Sequence, residues 1–266
     1  MPHPARKRFG QHFLTDFATI DALILAIQPR YEDHIVEIGP GLGALTMPLA
    51  DHLAHLHVIE IDRDIVGELK ATYPPEKLTV HEGDALRFDF AKLGGNLRIV
   101  GNLPYNISTP LLFHLISFSA LIIDLHVMLQ KEVVERMVAR PATTSYGKLS
   151  VMLQYRFDME CLLTIPPVCF RPQPKVESAF VRLSPRAPVA VADNEALFSR
   201  IVSMAFAQRR KTLLNNFKSK LTLSDFGAAG IDPKLRAQDL SLNEFVRLAN
   251  YVGSQERRYT MSHGTQ

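Results

Sequence analysis

Short apolar runs alternate with amphipathic stretches along most of this chain. Ile35–Ile38, Leu56–Ile61, Leu78–His81 and Leu97–Val100 read as strands, each closed by polar residues or glycine. Between them, Ala44–Leu53 and Asp62–Thr72 carry apolar residues at helical spacing, and Asp62 stands where it can cap the second helix. Ahead of the first strand, Thr15 or Asp16 can cap a helix with the apolar face Ile20, Leu23, Ile24 and Ile27, stopped by Pro29. Further on come a helix at Pro110–Phe118, a strand at Ile122–Leu129, and helices near Lys131–Val138 and Lys148–Phe157. Alternation of this kind, with strands apolar on both sides, predicts an α/β fold with a parallel sheet covered on both faces. Glu160–Ile165 and Ser178–Leu183 predict an antiparallel pair around a proline-rich loop.

Pro185 and Pro188 among small residues mark a linker after the last strand. Every later segment reads helical: Glu195–Ala207, Arg210–Lys218, Leu223–Ala228 and Leu242–Val252. The expected boundaries are a main domain over 1–184, opening with a basic arm, a linker over 185–192, a helical domain over 193–253 and a frayed polar tail over 254–266. A length of 266 residues, 47% of them hydrophobic, supports one large core and a small appendage and excludes a disordered chain. Leu111–Leu129 approaches the length of a membrane span, but His114, Asp124 and His126 interrupt it, so it reads as core. Arg6, Lys7 and Arg8 are followed by no apolar segment of signal-peptide type, and a cytoplasmic protein is expected. Cys161 and Cys169 have no partner motif, so neither a disulfide framework nor a metal site is expected.

Candidate chemistry gathers at the ends of the strands. Glu37-Ile38-Gly39-Pro40-Gly41-Leu42-Gly43 closes one strand and opens a helix, and its glycines let a ligand approach the backbone. The spacing G-x-G-x-G differs from the dinucleotide fingerprint G-x-G-x-x-G and suits S-adenosylmethionine, which has no pyrophosphate to seat. Glu60 ends the next strand, where a carboxylate can accept both ribose hydroxyls, and Asp84 follows the third, placed to accept from an adenine amino group. Asp62 and Asp64 read as helix-capping acids. Asn102-Leu103-Pro104-Tyr105 follows the fourth strand. The Asn102 carboxamide and the Leu103 carbonyl can each accept one N–H of an exocyclic amine, Pro104 holds the preceding residue extended, and Tyr105 can stack on the base.

With these elements in register, the chain resembles the ribosomal RNA adenine dimethylases. The likeness runs through Arg6-Lys7-Arg8-Phe9-Gly10-Gln11-His12-Phe13-Leu14, the Asn106-Ile107-Ser108 extension, Gln130-Lys131-Glu132-Val133, Phe170-x-Pro172-x-Pro174-Lys175-Val176-x-Ser178-Ala179 and Gln208-Arg209-Arg210-Lys211. Within the family it is strongest to bacterial enzymes that dimethylate two adjacent adenosines near the 3′ end of 16S rRNA. The resemblance implies a Rossmann-like class I methyltransferase sheet with helices on both faces, plus a small all-helical C-terminal domain. It also implies S-adenosylmethionine as co-substrate without a metal, and 16S rRNA in the small ribosomal subunit or its precursor as partner; no membrane partner and a monomer are expected. His12, Leu14, Gly39, Glu60, Asp84 and Asn102 are then expected at the cofactor, with Gly41 and Gly43 completing the loop. Relatives often carry Asn at the position of His12, which could equally face RNA.

Asn102, Leu103, Pro104 and Tyr105 are the expected catalytic set. Phe170 either stacks on the second face of the base or packs under the proline loop, and the resemblance favours stacking. Net charge is only +3, yet no acid occurs between Ala196 and Ser224, where Arg200, Arg209, Arg210, Lys211, Lys218 and Lys220 lie. Arg209, Arg210 and Lys211, with Arg6, Lys7 and Arg8 of the arm, are expected to dock RNA, and Lys175 either touches phosphate or solvates its loop. Competing readings are an RNA-binding assembly factor, a large-subunit dimethylase of the resistance type, a DNA adenine enzyme and a Rossmann oxidoreductase. The glycine spacing disfavours the oxidoreductase.

Overall fold

The computed structural model describes residues 11–263, so Arg6, Lys7 and Arg8 lie outside the described residues. Two compact units divide the chain. The first comprises the chain to Val134 together with Phe157–Arg186, and the second Glu135–Arg156 together with the chain from Ala187 onward.

The first unit opens with a short strand β1 (Phe13–Leu14) and α1 (Phe17–Ile27), whose amide at Thr19 is capped by the Asp16 carboxylate. Gln28, in the left-handed region at φ 51°, then ends the helix ahead of Pro29. The apolar runs become β2 (His34–Ile38), β3 (Leu56–Glu60), β4 (Leu78–Glu82), β5 (Leu97–Asn102) and β6 (Ile122–Gln130). Helices α2 (Thr46–His52), α3 (Arg63–Thr72) and α4 (Ser108–Ile116) connect them. After β6 the sheet is completed by β7 (Phe157–Ile165) and β9 (Ser178–Pro185), while β8 (Phe170–Arg171) pairs antiparallel with β1. The strand order is β4-β3-β2-β5-β6-β9-β7. The pairings from β4 to β6 are parallel and β9 is antiparallel to β7, as the sequence predicts, and β9 also pairs antiparallel with β6. The sheet is mixed, with helices on both sides. Arg98, near the start of the central strand β5, donates to Asp124 at 3.0 Å and to the Ile27 carbonyl at 2.7 Å, which ties the end of α1 to β5. Leu111–Leu129 divides into α4 and β6, and no helix among the described residues is long and apolar enough to cross a membrane.

The second unit takes in the end of α5 (Lys131–Met137), from Glu135 onward, with α6 (Lys148–Arg156), α7 (Glu195–Ala205), α8 (Leu213–Asn216), α9 (Leu223–Ala228) and α10 (Leu242–His263). Three boundaries differ from expectation. The 1–184 domain is interrupted, because α6 belongs to the helical unit. Leu149, Val151, Leu153 and Tyr155 are all buried, and a helix apolar on several sides must be covered by other helices. Tyr155 accepts from the Ala192 amide and lies 4.6 Å from the Phe198 ring. The expected helix at 210–218 shrinks to α8, because the Asn216 carboxamide donates to the carbonyls of Ala205 and Gln208 at 2.8 and 3.2 Å and bends the chain back. The expected tail from Ser254 continues α10 as far as His263. Ion pairs from Glu256 to Arg200 and from Arg257 to Asp193 hold this extension.

Candidate active site

The strand order reverses between β2 and β5, and ligands of doubly wound sheets bind beyond the carboxyl ends of the strands at that reversal. A cavity of about 270 Å³ lies there. Gly101 in β5 lets the two strands meet: a Cβ on it would stand 2.5 Å from the Ile38 carbonyl oxygen. Gly39 and Gly41 line the cavity with φ values of +69° and +53°, which suit glycine. A side chain at Gly41 would also press on the Phe13 ring, 3.1 Å away, so β1 lies directly over the loop. Gly43 stands between Leu42 and Ala44, which border the cavity, and its carbonyl accepts from Met47 at the start of α2.

Glu60, at the end of β3, is 6% exposed, and its Oε1 accepts from the amides of Ile61 and Asp62, each at 2.8 Å. Burial pushes its carboxyl above the usual range, although these amides favour the charged form. Asp84 lines the same cavity and accepts from the Leu86 amide at 2.9 Å. Asp62 caps α3, accepting from the Asp64 amide, as expected. Glu37, which opens the glycine-loop motif, is a functional residue that the motif alone does not reveal. It is 1% exposed at the end of β2, borders the cavity and accepts from the Thr46 hydroxyl at 2.7 Å. Burial raises its pKa to about 8, and the nearby Glu60 adds to the rise. An acid on a strand covered on both faces was the available signal.

Asn102, Leu103, Pro104 and Tyr105 all border the cavity. The Asn102 amide nitrogen donates to the His12 carbonyl at 2.9 Å. A carbonyl can only accept, so this bond fixes which end of the carboxamide is the oxygen. Leu103 is fully buried and donates its N–H to the Met128 carbonyl at 3.1 Å, which holds the turn to β6. The Tyr105 hydroxyl bonds Ser178 Oγ at 2.6 Å, and burial raises the phenol pKa. The His12 ring stacks on Tyr105 with centroids 5.3 Å apart, and its Nδ1 donates to the Pro172 carbonyl at 2.7 Å. Leu14 also borders the cavity and is 6% exposed.

Phe170 departs from its expected place at the base. It has no exposed surface and packs in the core cluster with Leu14, Ile165 and Phe180, because β8 pairs Phe170 with Leu14. Its ring is therefore spent on fastening β1 to the sheet unit and presents no face to a base. Among the expected RNA contacts, Lys175, Arg210 and Lys211 are exposed. Arg209 is exposed too, but its guanidinium donates to the carbonyls of Thr144 and Tyr146 within the helical unit. Among the described residues no group of three or more His, Cys, Asp or Glu could hold a metal ion.

A doubly wound parallel sheet extended by two antiparallel strands, with the cavity at its switch point, is the class I methyltransferase fold. The profile described as ribosomal RNA adenine dimethylase matches residues 2–254, and the chain belongs to that family. It is 58% identical over 253 residues to "Ribosomal RNA small subunit methyltransferase A" of Thiobacillus denitrificans, covering 95% of this chain and 99% of that one. The protein of the same name from Nitrosospira multiformis is 58% identical over 252 residues, covering 94% and 97%. A dimethyladenosine transferase from Plasmodium falciparum superposes with a TM-score of 0.73 at 26% identity, over 89% of this chain and 96% of that one. The 23S rRNA methyltransferase ErmE shares the fold, with a TM-score of 0.65 at 23% identity over 91% and 99%.

Proposed function

We propose that this protein transfers methyl groups from S-adenosylmethionine to the exocyclic amines of two adjacent adenosines near the 3′ end of 16S rRNA, in the small ribosomal subunit or its precursor. The relatives named as small-subunit methyltransferases support this substrate over the large-subunit alternative. The observation that carries the chemistry is the Asn102 carboxamide, held by the His12 carbonyl at the cavity beside Tyr105.

The residues fit a nucleoside carrying positive charge. Glu60 is oriented by two amides and suits a ribose diol, and Asp84 suits an adenine amine. Glu37 and Glu60 are buried acids at the cavity, no lysine or arginine borders it among the described residues, and a sulfonium and an ammonium group would favour their charged forms. S-adenosylmethionine, when bound, supplies a methyl group activated by its bond to a cationic sulfur, so the protein needs no nucleophile of its own. The protein's task lies with the acceptor, whose amine lone pair is delocalised into the ring. Asn102 Oδ1 and the Leu103 carbonyl accept the two N–H bonds, which favours a pyramidal nitrogen with its lone pair directed at the methyl carbon. Alignment of this kind is worth about 7–11 kcal/mol in favourable intramolecular cases. A neutral carboxamide does this without the cost of a buried charge. Each transfer releases the thioether and leaves the nitrogen positively charged until it gives up a proton, so every round leaves one N–H fewer in the grip, and the finished dimethyl base leaves both acceptors unpaired, which helps it depart.

The test is mass-spectrometric mapping after incubation with S-adenosylmethionine and unmethylated small subunits. Dimethylation at two adjacent adenosines, abolished by Asn102→Ala, is expected. RNA binding without methyl transfer would favour an assembly factor, and modification of large-subunit RNA would favour the resistance-type reading.

A further inference from the structure

Tyr105 borders the cavity directly after the Asn102–Pro104 turn, yet nothing in its own tetrapeptide fixes the plane of its ring. Two contacts from outside do so. Its hydroxyl meets Ser178 Oγ at 2.6 Å, and its ring lies against His12, whose own ring is tied to the Pro172 carbonyl. Both tethers end in the 170–178 segment, the stretch whose phenylalanine is withdrawn into the core. Ser178 is fully buried in β9 between Gln130 of β6 and Ile165 of β7, so its hydroxyl is a fixed point of the sheet. A buried hydroxyl at that depth needs a partner, and the phenol provides it.

We propose that Ser178 is a positioning residue for methyl transfer: by anchoring the Tyr105 hydroxyl it sets the ring against which the acceptor base is held. This rests on the adenine-dimethylase reading above. The anchor matters most for the second methyl. A free amine offers two N–H groups to Asn102 and Leu103, whereas the monomethyl amine offers one, so the stack on Tyr105 then carries more of the orientation. A loosened ring therefore releases the base between the two transfers.

The experiment compares wild type, Ser178→Ala, Tyr105→Phe and the double variant on unmethylated small subunits, reading N6-monomethyl against N6,N6-dimethyl adenosine. Ser178→Ala is expected to lower kcat about tenfold, as small misplacements of reacting groups do. It should also raise the monomethyl product from a trace to a share comparable with the dimethyl product, with the KM for S-adenosylmethionine within about twofold of wild type. Tyr105→Phe, which keeps the ring and the fold, should behave alike, and the double variant no worse than either, because both remove one interaction. A lowered melting temperature with kcat and product ratio as in wild type would make Ser178 a purely structural residue and overturn the proposal. So would additive effects in the double variant. Should Ser178→Ala not fold, Tyr105→Phe decides alone, and a wild-type product ratio from it overturns the proposal. Absence of dimethyladenosine from wild type would instead overturn the underlying reading.

Discussion

Replacing Glu37 by Gln should make the protein more stable, by an amount that depends on pH. The carboxyl is 1% exposed, accepts from Thr46, and has its pKa raised from 4.5 to about 8, chiefly by burial. Between those values the folded protein keeps a proton that the unfolded chain has lost, so stability is complete below pH 4.5 and falls as pH rises through 8. At about 1.4 kcal/mol per pH unit, the full interval corresponds to about 5 kcal/mol, and the part reached at pH 7 to about 3 kcal/mol. Glutamine has nearly the same shape, stays neutral, and still offers an oxygen to the Thr46 hydroxyl. The two proteins should therefore be equally stable near pH 5, diverge as pH rises, and run parallel above pH 8. Urea unfolding between pH 5 and 9 measures this directly. The chain has no tryptophan, so circular dichroism is the signal. Superimposed stability curves across that range would refute the buried-proton argument. The variant should lose affinity for S-adenosylmethionine as it gains stability, the exchange expected where a strained acid is kept for a ligand.

Two further outcomes follow from the geometry. Gly101→Ala places a Cβ 2.5 Å from the Ile38 carbonyl and must spread β2 from β5, costing about 3 kcal/mol, whereas Gly83→Ala meets nothing within 4 Å and should cost under about 1 kcal/mol; equal melting temperatures would contradict this. Replacing Arg210 and Lys211 together by Ala should weaken rRNA binding and reduce the slope of log affinity against log salt by about 2. Arg209→Ala should instead lower stability, by taking a donor from the Thr144 and Tyr146 carbonyls, and leave that slope unchanged.

The alternating pattern carried most of the sheet, because strands buried on both faces announce themselves as apolar runs and β2 to β6 lie within a residue or two of where that pattern puts them. Local rules served the caps equally well, as at Asp16 and Asp62. What local pattern could not carry was pairing at a distance. Phe170 reads as a base-stacking residue until the two-residue pairing of β1 with β8 sets it against Leu14. Arg209 and Arg210 are adjacent and alike in sequence, yet one is committed to backbone carbonyls of a loop more than sixty residues earlier. The helical unit was misdrawn for the same reason: α6 follows a strand and precedes a strand, and nothing local says that its apolar sides are covered by α7.

That interleaving governs the order in which the chain can be made and how it can be cut. As synthesis proceeds, α6 emerges well before α7, so Tyr155 waits without the Ala192 amide and the Phe198 ring while β7 and β9 complete the sheet around Ser178. A gene truncated after Arg186 would encode the whole sheet and still leave α6 without the rest of its unit, with Tyr155 stripped of its partners, yielding an aggregation-prone fragment rather than a minimal enzyme. Exchanging helical units between relatives accordingly requires transplanting two separate segments at once, and a single crossover in the linker joins halves that were never matched.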